Sequence, residues 1–593
     1  MPDMLHTFHI PVMGTGFTLD TPFKVAQYGV SSVVSLVDDK LIEQVRSYYC
    51  QLFGERYEPI TNDNPDPRAN RITAYLNLMD RVVKKQFQEV KNSDFHSNSE
   101  ATKYFELLPD SSPVRKDFTK MKSLPQGEEK ERLQVKLREK MIPGSIDVNI
   151  MTKLDKTSYK NNVKLPPEFS DALAALRGFA NSTLNSSIVF SAGINRRLFS
   201  YLATFDDFYP DPSGNLKKKI TIKVSDFRSA FSQSRALAQK GLWVSEFRVE
   251  SGLNCGGHVF PTKGHMLGPV LEEFKRKRNE LNDTLQSMYI KALKSKNITL
   301  HNNPETIKLT VQGGVGTSQE HQFLTDYYKA DSVGWGTPFL LVPEVVATDD
   351  SLVEQLEKTT NDDLYVSKVS PMGVMINNMR TSPSEIDKAQ RIKEGKQGFV
   401  CFKGHLTLNS EFSDQPLCVA SAKYQNQKIK EVKARNQAPE TESRQIEEIT
   451  EKTCLCHQLG GSILLKYNIV KNTPATAVCP GPNLAYFSKR TTFSQMVDHI
   501  YGRVNLKNDT PRPSMFITEL ILYINNFIDD FTKSLPSMTE SKATYFSDYV
   551  AAMRDGMSYY YNLITDHPSL EGMLDDLNKC QKRFETFISK QGQ

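Results

Sequence analysis

Apolar runs of strand length recur along the first 345 positions, separated by segments of helical period, and several of them end in glycine. Ile307–Val311 runs into Gly313-Gly314, a helical segment over Gln319–Tyr328 follows, and Ser332–Trp335 runs into Gly336-Thr337. That is a βαβ unit. Upstream, the same pattern predicts strands at Phe8–Met13, Val30–Val37, Ile146–Met151, Ser187–Ser191, Ile220–Val224 and Glu246–Glu250. Eight short strands in order, with helices between them, predict an α/β fold of the (β/α)8 TIM-barrel type. The alternative is an open doubly wound sheet, which wants a glycine fingerprint after its first strand and an acidic residue about 20 positions on. GTGFTLDTP matches that fingerprint poorly.

Two stretches lie outside the repeating pattern. From Leu41 to about Met141 the chain is charged and helical, which predicts a water-facing insertion after the second strand, outside the core. Beyond Glu344 the composition shifts. Tyr365–Met379 mixes short apolar runs with turns, and cysteines gather between Lys396 and Pro482. After Asn483 the reading is helical: Thr492–Tyr501, Ser514–Ser534, Ser541–Thr565 and Leu570–Lys590, whose apolar positions fit one packed face. The predicted organisation is a barrel over 1–345 with its insertion at about 41–141, a mixed α/β cysteine-containing region over 346–482, and a helical region over 483–593. The last is read as a cap, or as an element through which two copies associate.

Composition narrows the function classes. Lys and Arg number 74 against 69 Asp and Glu, a net charge of +5 spread over 593 residues. That balance demands neither nucleic acid nor an anionic membrane. There is no apolar run of about 18 residues, the length a spanning helix needs, and the opening MPDMLHTFHIPVMG lacks the basic and apolar parts of a signal peptide. The expectation is a soluble, cytoplasmic protein with a small-molecule or acyl substrate. Eight cysteines in such a chain are not a disulfide framework.

Candidate chemistry collects at strand ends: Gly14 and Thr15, Asn149, Ser191, Lys223, Cys255 to His258, Gly313-Gly314 and Gly336-Thr337. Glycines after the seventh and eighth strands of a barrel let a phosphate approach backbone N–H groups closely; tight turns without a ligand are the plain alternative. IPVMGTG, the VN of strand three, SGLNCGGH, QGGVGT and VGWGTPFLLVPE, in that order, resemble the nitronate monooxygenase (2-nitropropane dioxygenase) family of FMN-dependent barrels. They are similar also to the flavin enoyl reductases of polyunsaturated fatty acid synthesis. The resemblance implies an FMN phosphate on Gly313, Gly314, Gly336 and Thr337 with Gly257 close by, Gly14 at the cofactor, and Asn149 and Lys223 toward the isoalloxazine ring. It implies His258 as the base that removes a proton from an activated carbon acid, an imidazole suiting that task because it titrates near neutrality. The chain departs from the family at Cys255, where alanine is usual, and in its long C-terminal half.

A second cluster comprises Cys454, Cys456 and Cys479, with Cys418 as the fourth member, set among Gly460-Gly461 and Pro480-Gly481-Pro482. Thiolates in such loops suit an iron–sulfur cluster or a structural zinc ion, against free buried thiols as the alternative. The functional expectation is an FMN-dependent oxidoreductase resembling nitronate monooxygenase. The alternatives are a flavin enoyl reductase acting on an acyl thioester, and a non-catalytic interaction protein on a barrel scaffold.

Overall fold

The structure is a computed structural model and describes residues 4–152, 155–160, 163–471 and 474–591. Eight parallel strands close into a barrel: β1 (Phe8–Ile10), β2 (Ser31–Ser35), β3 (Ile146–Ile150), β4 (Ser186–Phe190), β5 (Lys218–Val224), β6 (Val244–Glu250), β7 (Lys308–Gln312) and β8 (Ser332–Gly334). Each strand pairs with its sequence neighbours. β1 closes the ring on β8 through Phe8↔Val333 and His9↔Gly334. All eight predicted strands are present. β1 stops at Ile10 rather than Met13 because Pro11 has no N–H to give the ladder.

Alternate side chains of a barrel strand face inward, and here many of them are charged. Glu246, Arg248 and Glu250 of β6 take this direction: the first two line a cavity at the N-terminal end of the barrel, and the third lines the mouth. Arg248 is 3 % exposed. Its guanidinium lies 2.7 Å from Glu246 Oε1 and 3.7 Å from Asp147 Oδ2. Buried charges survive in an interior only when paired in this way. Thr310 also donates to Glu246 Oε1 at 2.5 Å.

The segment expected to be a solvated insertion outside the core is largely part of it. Ile72, Tyr75, Leu76 and Met79, on the helix Pro67–Asn92, belong to the main hydrophobic cluster and are fully buried. Tyr75 also donates its hydroxyl to the Leu19 carbonyl at 2.9 Å. The apolar stripe of this helix is interleaved with charged residues, so the charge dominates the local reading. Only the helix Glu128–Lys140 behaves as a water-facing rod, with Leu137 its single buried side chain.

The C-terminal half packs onto the barrel. Helices Met515–Ser534, Glu540–Asp566 and Leu574–Gln591 bury Phe527, Tyr549 and Phe584 among themselves. They lie against the long barrel helix Leu267–Ser295, where a β-carbon on Gly268 would sit 2.5 Å from the Tyr560 ring. The main cluster runs without interruption from Phe8 and Val311 through Ile463 and Leu484 to Phe584. Leu364–Ser367 and Ile376–Met379 form an antiparallel hairpin, and its tip reaches the barrel mouth. Among the described residues no helix is long and apolar enough to cross a membrane.

Candidate functional site

The C-terminal ends of the strands open into two cavities that share Gly14, Lys223, Glu250, Cys255, Gly257 and Cys479, and so form one connected mouth. The narrower end lies over the loops after β7 and β8, lined by Gly313, Gly314, Gly336 and Thr337. The wider end lies over β3 to β6 and is lined by Asn149, Lys223, Gly257 and His258. Every residue expected at the cofactor or as the base is therefore on this cavity. Their convergence follows from topology: each sits at or just after the carboxyl end of a strand, and closing the barrel brings those ends together.

Polar groups meet on the floor. Lys223 Nζ is 3.1 Å from Glu250 Oε1, and the Gln312 amide donates to the same oxygen. Asn149 Oδ1 and Thr15 Oγ1 are buried with no hydrogen-bond partner within the protein. A native interior rarely leaves such atoms unpaired, so they suit a polar ligand in the cavity.

At the narrow end the backbone is shaped by glycine. Gly313 has φ +143° and Gly314 φ +74°. A β-carbon on Gly314 would lie 2.1 Å from Asn254 Nδ2, so this glycine is required first by packing inside the protein. Gly257, with φ +79°, has nothing within 4 Å of where a β-carbon would point, and its bare face opens on the cavity. Thr337 accepts the Gly481 N–H at 3.0 Å and keeps its own O–H as a donor. Glycine backbone, a hydroxyl donor and the orphaned oxygens of Asn149 and Thr15 fit a phosphate-bearing ring cofactor such as FMN.

His258 stands on the wall of the wide end with Nε2 3.1 Å from Ser370 Oγ. The thiol of Cys255 lies 3.6 Å from the Gln312 carbonyl. Burial pushes that thiol well up, and the nearby Glu250 carboxylate adds to the effect, which disfavours a thiolate there. The wide end also carries the apolar side chains of Val37, Met151, Phe260, Met372, Val374 and Ile376, beside the hydroxyls of Ser35, Ser191, Ser225 and Ser251.

Residues from the C-terminal half complete the mouth. Val478 to Gly481 and Asn483 line the narrow end, and Asn483 Nδ2 donates to the Val315 carbonyl at 2.8 Å. Arg512 donates to the Gly314 carbonyl at 2.6 Å while pairing with Glu320 at 2.7 Å. Sequence reasoning missed Glu250 and Gln312, although both are the last residues of strands and strand-end position alone points to them. Ser370, Asn483 and Arg512 carry no local signal.

The four cysteines expected to share a metal do not converge. Cys418, Cys454 and Cys456 pack in one apolar cluster with Cys401, whereas Cys479 packs in a different one and lines the barrel mouth. The Pro480-Gly481-Pro482 turn carries Cys479 to the loop after β6, where its carbonyl accepts the Gly257 N–H at 2.9 Å. Among the described residues no group of three or more His, Cys, Asp or Glu side chains is placed to hold a metal ion. Burial pushes the Cys418 and Cys479 thiols up to about 12.

No protein-family model matches the chain. No curated protein matches it. Among solved structures the chain is similar to FabK from Thermotoga maritima, at 13 % identity over 64 % of this chain and 82 % of that one, with a TM-score of 0.31. It is similar also to the enoyl reductase domain of MlnA from the macrolactin biosynthesis cluster of Bacillus amyloliquefaciens. That match has 15 % identity over 72 % of this chain and 89 % of that one, and a TM-score of 0.32.

Proposed function

We propose that the protein is an FMN-dependent oxidoreductase whose site is the mouth of the barrel. The observation that supports this reading is that His258 and the glycine, Asn, Lys and Thr positions implied by the resemblance, drawn from six of the eight strand ends or the loops after them, line one cavity whose wall carries the orphaned oxygens of Asn149 and Thr15. Gly313, Gly314, Gly336 and Thr337 would hold the phosphate. Asn149, Lys223 and Gln312 would meet the polar edge of the ring. When bound, the flavin supplies hydride exchange with a carbon substrate, a reaction that side chains alone do not perform.

The protein's own residues orient the substrate and handle the proton. His258 borders the apolar part of the cavity, so it takes a proton from a carbon acid or returns one to carbon, according to the direction of the reaction. The only cationic side chain lining that part among the described residues, Lys223, is paired with Glu250, so the chamber favours a neutral, largely apolar substrate over a free anion. That lining supports the enoyl acyl thioester reading above a small nitroalkane, because six apolar side chains suit a hydrocarbon chain.

Purification of the full-length chain with analysis of its chromophore tests the reading. FMN released on denaturation is the expected result. Anaerobic reduction by a nicotinamide, followed by reoxidation with an enoyl thioester, supports the acyl reading; reduction by a nitroalkane supports the nitronate monooxygenase-like reading. A colourless protein that takes up no FMN on reconstitution overturns both and leaves the interaction-protein alternative.

A further inference from the structure

The loop after β7, residues 313–317, rests on side chains from the C-terminal half of the chain. Arg512 donates through one terminal nitrogen to the Gly314 carbonyl at 2.6 Å, Asn483 Nδ2 donates to the Val315 carbonyl at 2.8 Å, and His499 Nε2 lies 3.1 Å from the Gly316 carbonyl. Three successive carbonyls of the loop therefore face the C-terminal half. A β-carbon on Gly316 would stand 2.6 Å from Asn483 Oδ1 and 2.8 Å from Arg512 Nε, so the backbone lies directly on both side chains.

Arg512 is itself held from several directions. Its Nε donates to Asn483 Oδ1 at 2.7 Å, and its terminal nitrogens reach the two Glu320 carboxylate oxygens at 2.7 and 3.0 Å. Glu320 also accepts the Gly316 N–H at 2.9 Å and the Met515 N–H at 2.7 Å, which anchors the pair to the loop and to the start of the helix Met515–Ser534. The Arg512 side chain is 4 % exposed. A guanidinium shared among a carboxylate, an amide and a carbonyl is locked in place, because its planar fork fixes the directions of its N–H groups.

The peptide joining Gly314 to Val315 is planar and trans, so its N–H points away from its carbonyl. The carbonyl faces Arg512, which does not line the cavity, whereas Gly314 and Val315 do. Among the described residues the Val315 N–H has no acceptor. Backbone donors are rarely left unpaired in an interior, so this one suits an acceptor in the cavity.

We propose that Arg512 is a positioning residue of the cofactor site: by holding the Gly314 carbonyl it turns the Val315 N–H toward the narrow end of the mouth, where that N–H donates to the phosphate of FMN. This rests on the reading of the narrow end as an FMN phosphate site. Arg512 acts through one peptide plane and not by its own charge, which Glu320 neutralises from behind the loop. Flavin binding thereby depends on a side chain that the barrel itself does not contain.

The test is made on the full-length protein. Affinity is measured by flavin fluorescence for FMN and for riboflavin, which lacks the phosphate, and wild type is expected to prefer FMN. Arg512→Met is expected to lose about tenfold in FMN affinity, the order of one hydrogen bond to a charged group, with riboflavin affinity unchanged. Arg512→Lys recovers most of the loss, because an ammonium in the place of the shared terminal nitrogen serves both Gly314 and Glu320. A second measurement uses wild type. Glycine labelled at its carbonyl carbon and valine labelled at its nitrogen isolate the Gly–Val peptides by NMR, and Val315→Ile identifies the signal of interest. The Val315 amide proton is expected to move downfield with FMN and not with riboflavin. Undiminished FMN affinity in Arg512→Met, equal losses of both affinities, or an amide proton that responds alike to the two flavins overturns the proposal. Wild type that binds neither flavin overturns the cofactor reading instead, so the two failures are told apart before any variant is made.

Discussion

Gly257 and Cys479, from opposite halves of the chain, meet at 2.9 Å through a backbone hydrogen bond. This contact ties the loop that bears His258 to the segment covering the narrow end of the mouth. It also leaves the free face of Gly257 turned toward the cavity, which separates two kinds of glycine at this site.

Gly257→Ala is expected to leave the fold nearly intact and to weaken flavin retention. Its β-carbon meets no protein atom within 4 Å, so the cost to stability is that of a left-handed residue, about 1 kcal/mol. Gly314→Ala is expected to act through stability instead. Its β-carbon would strike the Asn254 amide, which is already committed to the Met515 carbonyl at 3.0 Å. An overpacking cost of about 1–3 kcal/mol follows. Melting temperature and flavin content, measured on both variants, separate the cases. A normal flavin content in Gly257→Ala would place the cofactor elsewhere.

On the proposed reading, His258→Ala is expected to retain flavin, since Asn149, Thr15 and the glycines after β7 and β8 are untouched. It should slow substrate-dependent redox turnover by about 10²–10⁴-fold, the usual contribution of a positioned acid or base. Stopped-flow measurement of flavin absorbance is the readout. A rate within a factor of about two of wild type, small against that range, would make His258 a loop residue only.

Glu519 brings a carboxyl from the helix Met515–Ser534 into the base of the loop after β6, accepting from Ser251 Oγ at 2.5 Å and from Leu267 N at 2.8 Å. It is 1 % exposed, and burial raises its pKa to about 7 although both hydrogen bonds work the other way. Below the unfolded carboxyl value the group is protonated in both states and leaves stability unaffected. As pH rises toward 7 the unfolded chain releases its proton first, so stability falls by about 3 kcal/mol and levels off above that value. Glu519→Gln keeps an acceptor for Leu267 N–H and cannot ionise, so it is expected to remove this dependence and to be more stable than wild type at pH 8. Denaturant unfolding at pH 5 and pH 8 on both proteins checks it. An equal pH dependence in the two would show that the carboxyl is ionised in the fold.

The buried thiols are expected to differ in reactivity. The Cys454 pKa is lowered by a hydrogen bond from Cys456, whereas burial holds Cys418 and Cys479 at about 12. Alkylation at pH 8 followed by mass spectrometry of peptides should label Cys454 before Cys418 and Cys479. Labelling of Cys418 as early as Cys454 would mean that the cluster they share opens as a unit before either thiol reacts.

The strands of the barrel and the glycines at their ends were legible because their signals are local. A period of two, β-branched residues and a glycine that permits left-handed backbone act within a few residues of one another. His258, Asn149 and Lys223 were legible for the same reason, and Glu250 and Gln312 could have been found from the same strand-end position. The segment 41–141 was misread because a helix that is half charged and half buried looks solvated until its partner surface is known. Of the grouped cysteines, Cys418, Cys454 and Cys456 do pack together, with Cys401 beside them, and Cys479 alone departs, because the Pro480-Gly481-Pro482 turn sends it to the mouth.

The sequence by itself determined the barrel, the order of its strands, and which glycines and polar residues stand at the strand ends around its mouth, since short-range sterics and hydrophobic period are written residue by residue. Only the tertiary structure decided that Ser370 faces His258, that Met372 and Ile376 wall the chamber, and that Asn483 and Arg512 fasten the loop after β7. Those contacts join positions far apart in the chain, and they exist because burying the apolar faces of the C-terminal half against the barrel leaves one way for its loops to cross the mouth.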